Sequence, residues 1–187
     1  MPPTSRGASL ATRAPREGPM LNLLFRRLTA EPSRGADLFA AITTEARRPH
    51  WYRDGAVPDT IDGRFAVLAT VTALVLVRLE QSGNEGNVAS VALTERFIEV
   101  MEAEHRELGL GDPTLGKTVR KLVGSLARRV ELWRSASERG WTDTARASLY
   151  KRDVQSEAVE HSAQALRDLQ ALLEQSDLAA LIEGRLA

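Results

Sequence analysis

The chain has 187 residues, no cysteine, and 25 basic side chains balanced by 25 acidic ones. That length accommodates one domain with a proper core, and the missing cysteines exclude disulfides, thiolate nucleophiles and cysteine metal sites, which suits a reducing compartment. Balanced charge leaves no global field to draw the protein to nucleic acid or anionic lipid, so any such partner needs a local patch.

Residues 1 to 19, MPPTSRGASLATRAPREGP, are rich in Pro, Gly, Ser, Thr and Arg. They hold no apolar run of signal-peptide length and predict a disordered tail, with Met20 as an alternative start. From Met20 to Ala30 leucines and Phe25 recur at helical spacing and predict a short helix that Glu31-Pro32-Ser33 breaks. A second helix is expected from about Gly35 to Arg47, with Leu38, Phe39 and Ile42 on one side and a stop before Pro49. The adjacent rings His50, Trp51 and Tyr52 then read as a lid over the core with polar tips toward water.

The stretch from Val57 to Glu80, VPDTIDGRFAVLATVTALVLVRLE, contains the longest apolar run in the sequence. Asp59 and Asp62 offer helix-capping carboxylates at its start, so a helix is expected to begin between Asp59 and Gly63. Between Phe65 and Val77 only two threonines interrupt the apolar side chains. Those residues reach about 20 Å as a helix, against roughly 30 Å for a bilayer's hydrocarbon core, so a buried central helix is the reading.

Gln81 to Asn87, QSGNEGN, predicts a turn. The following helix, about Val88 to Leu108, places Val91, Phe97, Ile98, Val100 and Met101 for packing and Glu95, Glu99, Glu102, Glu104 and Glu107 outward. A Gly-rich loop leads to a helix over Pro113 to Arg139, with Asp112 as N-cap and Pro113 at the first helical position. At 100° per residue Leu115, Val119, Leu122, Val123, Leu126, Val130 and Trp133 share one side, and Lys117, Arg120, Lys121 and Arg128 fall opposite. Helices over Thr142 to Lys151 and Val154 to Glu174 follow, and a last one opens at Ser176-Asp177. Nowhere do apolar and polar residues alternate at length, so no sheet is expected. The predicted architecture is an all-α, single-domain bundle of about seven or eight helices around the apolar helix at 60–80.

Three patterns bear on chemistry. Gly111 to Thr118 matches G-x-x-x-x-G-K-[ST] literally, but no strand precedes it, Pro113 has no N–H to offer and Asp112 would face phosphates with a like charge, so no nucleotide site is assigned. Glu102-x-x-His105 has the spacing of half a di-iron site, and the other half is missing around His161, so no metal is assigned either. From Leu115 to Val130 there are five basic and no acidic residues. Such a stripe is either a solvated face paired with its acidic neighbour or a contact for anionic lipid headgroups or ribosomal RNA phosphates. A helix-turn-helix reading fails on the length of the connecting turn, and no DNA contact is expected.

Tyr52 followed by VPDTIDGRF, then Arg78-Leu79, GLGDPTLGKTVRK and Leu149-Tyr150 together resemble the ubiquinol-cytochrome c chaperone family. The resemblance covers about Met20 to Arg152 and leaves residues 153–187 as a helical extension without an assigned role. It implies an all-helical, non-enzymatic assembly factor of the bc1 complex that needs no cofactor. It further implies binding of newly made cytochrome b on the cytoplasmic or matrix side of the energy-transducing membrane, near the ribosome exit region and an anionic membrane surface. Tyr52, Asp59, Asp62, Arg64 and Arg78, with the basic residues Lys117, Arg120, Lys121 and Arg128, are the candidate partner-binding set. One departure is that Val71 stands where the family pattern carries a histidine, so no role of that histidine carries over. The alternatives are a helical interaction module of other purpose and a small helical enzyme holding a metal or ligand.

Overall fold

The computed structural model describes residues 35–107, 109 and 112–186. The expected tail at 1–19, the helix at Met20–Ala30 and Gly111 of the Gly-rich loop lie outside the described residues. Every regular element among the described residues is helical. In chain order these are α1 (Ala36–Ala46), the single turn α2 (His50–Arg53), α3 (Ile61–Glu80), α4 (Gly83–Glu107), α5 (Asp112–Arg134), a short 3-10 turn (Glu138–Gly140), α6 (Trp141–Leu149), α7 (Ser156–Gln175) and α8 (Leu178–Ile182). The all-α bundle expected from the sequence is what forms.

α3 is the axis. It packs against α1, α4, α5, α6 and α7, and an unbroken run from Ala69 to Leu76 is buried on every side. Such a helix has no polar stripe to give to water, so other helices must cover all of it. Leu38 and Ile42 of α1, Leu93 and Phe97 of α4, Leu126 and Trp133 of α5, and Leu166 and Leu173 of α7 complete one core with it. Its two threonines are fully buried and return their hydroxyls to their own helix, Thr70 to the Ala66 carbonyl and Thr72 to that of Leu68, both at 2.7 Å.

Three local expectations are corrected. The predicted turn at Gln81–Asn87 shrinks to two residues, because α4 already begins at Gly83. Gly86 is there for close approach rather than as a breaker: a Cβ on it would lie 2.0 Å from the Leu79 carbonyl oxygen. α5 stops at Arg134, short of Arg139, and its described start at Asp112 puts that residue inside the helix rather than at its cap. On α4 the buried positions besides Gly86 are Ala89, Leu93, Phe97 and Met101, whereas Val91 is 57% exposed.

The ring cluster is no lid. Trp51 is completely buried, and its indole Nε1 donates to the Glu45 carbonyl at 3.0 Å while the Tyr52 hydroxyl donates to that of Ala46 at 2.8 Å. Both acceptors belong to the last turn of α1, where carbonyls have no partner within the helix. The polar tips therefore cap α1 instead of facing water.

Candidate functional site

The approach to α3 is fixed by a different set of residues from those expected. Thr60, not Asp59 or Asp62, is the N-cap, its hydroxyl accepting from the Gly63 amide at 3.2 Å. The two aspartates are engaged in exposed ion pairs instead: Asp59 with the Arg64 guanidinium at 2.6 Å and Asp62 with Lys151 at 2.7 Å. The Arg64 guanidinium holds the Asp59 carboxyl below the usual carboxylate range. Gly63 is forced, since a Cβ there would come within 1.9 Å of the Pro58 carbonyl oxygen. Between these pairs Ile61, the first residue of α3, is 70% exposed. Sequence reasoning passed over Ile61; its signal was an aliphatic side chain between two aspartates at a helix start, off the core face.

Arg78, at the far end of α3, is half-buried and structural. Its Nε donates to the Leu173 carbonyl at 2.9 Å, its Nη2 to that of Ser176 at 3.3 Å, and its Nη1 to the Ser82 hydroxyl. A cation is thus set on the carbonyl end of α7, where the helix dipole is negative.

Two nodes tie α6 to the rest. Ser148, buried, donates to Thr70 Oγ1 at 2.8 Å and accepts from Trp133 Nε1 at 3.2 Å; with Thr70 already donating within α3, the hydroxyl directions are fixed. The Ser148 carbonyl accepts from both Nε and Nη2 of Arg129, at 3.1 and 2.7 Å. Arg129 Nη1 also reaches the Ser125 carbonyl and hydroxyl, and the guanidinium lies 5.9 Å from the Phe65 ring centroid. Burial, with Arg128 beside it, pushes Arg129 down to about 10. The second node is the Tyr150 hydroxyl, which bonds the Gly55 carbonyl at 2.6 Å and the Ser162 hydroxyl at 2.7 Å. Nearby, His50 Nδ1 meets His161 Nε2 at 3.2 Å, joining α2 to α7.

Arg129 is therefore separated from the rest of the basic stripe. Lys117, Arg120, Lys121 and Arg128 are exposed on the outward side of α5, opposite the buried Leu115, Val119, Leu126, Val130 and Trp133. None of the four is ion-paired among the described residues, and no ion pair there joins α4 to α5. Two separate contacts reach the α6 end of the chain, Lys151 with Asp62 at the start of α3 and the Ser148 carbonyl with Arg129 of α5. Asp59, Asp62 and Arg64 share the start of α3, whereas α5 ends at the other end of α3, where Arg134 pairs with Glu80 at 2.8 Å. Arg78 stands apart from Asp59, Asp62 and Arg64, and Tyr52 is taken up by capping α1.

The other patterns fall into place as helix. Gly116, Lys117 and Thr118 lie in the first turns of α5, not in a loop behind a strand. His105 keeps its Nδ1 2.8 Å from the Met101 carbonyl, and no three metal-ligating side chains converge among the described residues. No helix there is long and apolar enough to cross a membrane.

Comparison with known proteins gives two matches. The crystal structure of the Cbp3 homolog from Brucella abortus superposes with a TM-score of 0.68 at 23% identity, over 88% of this chain and 93% of that one. At that identity it shows a shared fold. No curated protein matches. The family model described as ubiquinol-cytochrome C chaperone matches residues 53–187, and so takes in α7 and α8 as well as the motifs around α3. By that match the chain belongs to the ubiquinol-cytochrome c chaperone family, assembly factors of the bc1 complex rather than enzymes.

Proposed function

We propose that this chain chaperones newly made cytochrome b into the bc1 complex, working at the cytoplasmic or matrix face of the energy-transducing membrane. The supporting observations are the exposed Ile61 at the start of α3 and, on the outward side of α5, a row of cations with no ion pair among the described residues, Lys117, Arg120, Lys121 and Arg128. An exposed aliphatic side chain together with a row of outward bases suits a surface that meets an apolar client segment at an anionic membrane. Each lysine or arginine near such a surface contributes about 1 kcal/mol, so four suffice for reversible attachment without a membrane anchor.

The test is affinity capture of the full-length tagged chain from cells that make the bc1 complex, beside a strain lacking it. Deletion should lower assembled bc1 complex, and capture should recover cytochrome b. Reversing Lys117, Lys121 and Arg128 to glutamate should reduce recovery and binding to vesicles rich in anionic lipid. Ile61→Asp should reduce cytochrome b recovery while sparing vesicle binding. Unchanged bc1 levels in the deletion strain would count heavily against the client; ribosomes lost with the charge reversal while vesicle binding persists would transfer the cations to the ribosome exit.

A further inference from the structure

The outer side of α4 has a different character from that of α5. Val88 and Val91, one helical turn apart, are 54% and 57% exposed, two of the five large apolar side chains left in solvent among the described residues. Beside Val88 a groove of about 190 Å³ opens between the starts of α1 and α4 and the α8 helix, floored by Leu38, Ala89, Ala92 and Ile182 with Glu85 on its rim. That is smaller than the roughly 300–1,000 Å³ of small-molecule sites. It is a size for aliphatic side chains.

From Val88 and Val91 the same face runs on through Glu95, Glu99 and Glu102, spaced by three or four residues and so in line along the helix. Glu99 pairs with Arg96 at 3.3 Å; Glu85, Glu95 and Glu102 have no ion pair among the described residues. The track from Val88 to Glu102 is about 21 Å long, or four turns. We infer that this face docks an amphipathic helix of a partner protein, its aliphatic side chains seated in the groove and its lysines or arginines along the glutamates. Charge decides the occupant: an anionic bilayer is repelled here, and a helix carrying bases one to three turns beyond its apolar anchor is matched. This inference stands apart from the cytochrome b reading, which uses the start of α3 and the outward side of α5.

The probe is a fluorescent synthetic helix with leucines at i, i+3, i+4 and i+7 and lysines elsewhere, against a mirror peptide with glutamate for lysine. The basic peptide should bind the full chain, and the acidic one should not. Val88→Asp and, separately, the reversal of Glu95 and Glu102 to lysine should each weaken binding about tenfold, with unchanged circular dichroism because Val88 and Glu95 are exposed and Glu102 is only half-buried. Binding insensitive to Val88→Asp would reduce the association to charge alone and overturn the site, as would no binding of the basic peptide. A photo-crosslinker at Val88 in cells should mark a basic segment of another protein. Crosslinks to lipid or to this chain itself, in one or two copies, would assign the groove elsewhere and overturn the proposal.

Discussion

The Tyr150 hydroxyl donates to the Gly55 carbonyl at 2.6 Å across 95 residues of sequence, holding the loop before α3 against the end of α6. Ser162 on α7 bonds the same oxygen at 2.7 Å. Tyr150→Phe keeps the ring and leaves the carbonyl and the serine without that partner. A loss of about 1–2 kcal/mol is expected, read as a fall in the melting temperature of about 2–4 °C for each kcal/mol. An unchanged melting temperature would show that water replaces the hydroxyl at no cost.

Two glycine-to-alanine changes should move stability in opposite directions. Gly63→Ala forces a Cβ against the Pro58 carbonyl oxygen at 1.9 Å and should destabilise by about 1–3 kcal/mol, as overpacking does. Gly124→Ala, inside α5 with nothing within 4 Å of the new methyl, should stabilise by about 0.5–1 kcal/mol through helix propensity. Urea unfolding of both variants checks the pair.

Arg78→Ala removes the donors from the Leu173 and Ser176 carbonyls. The end of α7 should fray, seen as faster amide exchange at Ser176, whose N–H bonds the Leu172 carbonyl at 3.0 Å. Arg78→Lys keeps the charge at the helix end but not the fork, and should fall between wild type and alanine. Equal exchange in lysine and alanine variants would mean the geometry of the guanidinium, not its charge, holds the end.

His50 gives the fold a pH dependence. Burial lowers it from the ordinary value of 6.5, against the pull of Glu45, with Arg48 and His161 also lowering it and Asp54 raising it. The unfolded chain therefore takes up this proton more readily than the folded one. The site's contribution is complete above 6.5 and is lost as pH falls from there through the lowered folded value. Unfolding midpoints measured from about pH 8 down to pH 5 should drop more steeply for wild type than for His50→Gln. Parallel curves would remove His50 from the account.

Local signals carried most of the fold. α3 was legible because an apolar run with a capping start admits few other readings, and its bounds at Ile61 and Glu80 fall where expected. Along α5 the wheel separated buried from exposed positions and set Arg128, outward, apart from Arg129, but it could not show that Arg129 chooses the Ser148 carbonyl, 19 residues on, as its acceptor. That choice depends on α6 lying alongside, which no spacing within α5 encodes. Arg78 is the same case: its acceptors are 95 and 98 residues away. The aromatic cluster was misjudged for a related reason. Trp51 and Tyr52 answer to the carbonyls of the last turn of α1, a need that appears only once the chain has turned back on that helix.

The equal totals of acid and base conceal how the charges are sorted. α4 carries six glutamates against two arginines, and α5 six bases against two acids. A body so arranged has no monopole but a transverse dipole, so a distant charged surface exerts little pull on it and a near one exerts torque. With a Debye length of about 8 Å in physiological salt, comparable to the 8–10 Å between packed helices, that torque acts only over the last nanometre of approach. On the proposed membrane reading the chain would reach a bilayer by diffusion and be oriented on arrival with α5 inward, leaving the glutamates of α4 free for whatever comes from solution.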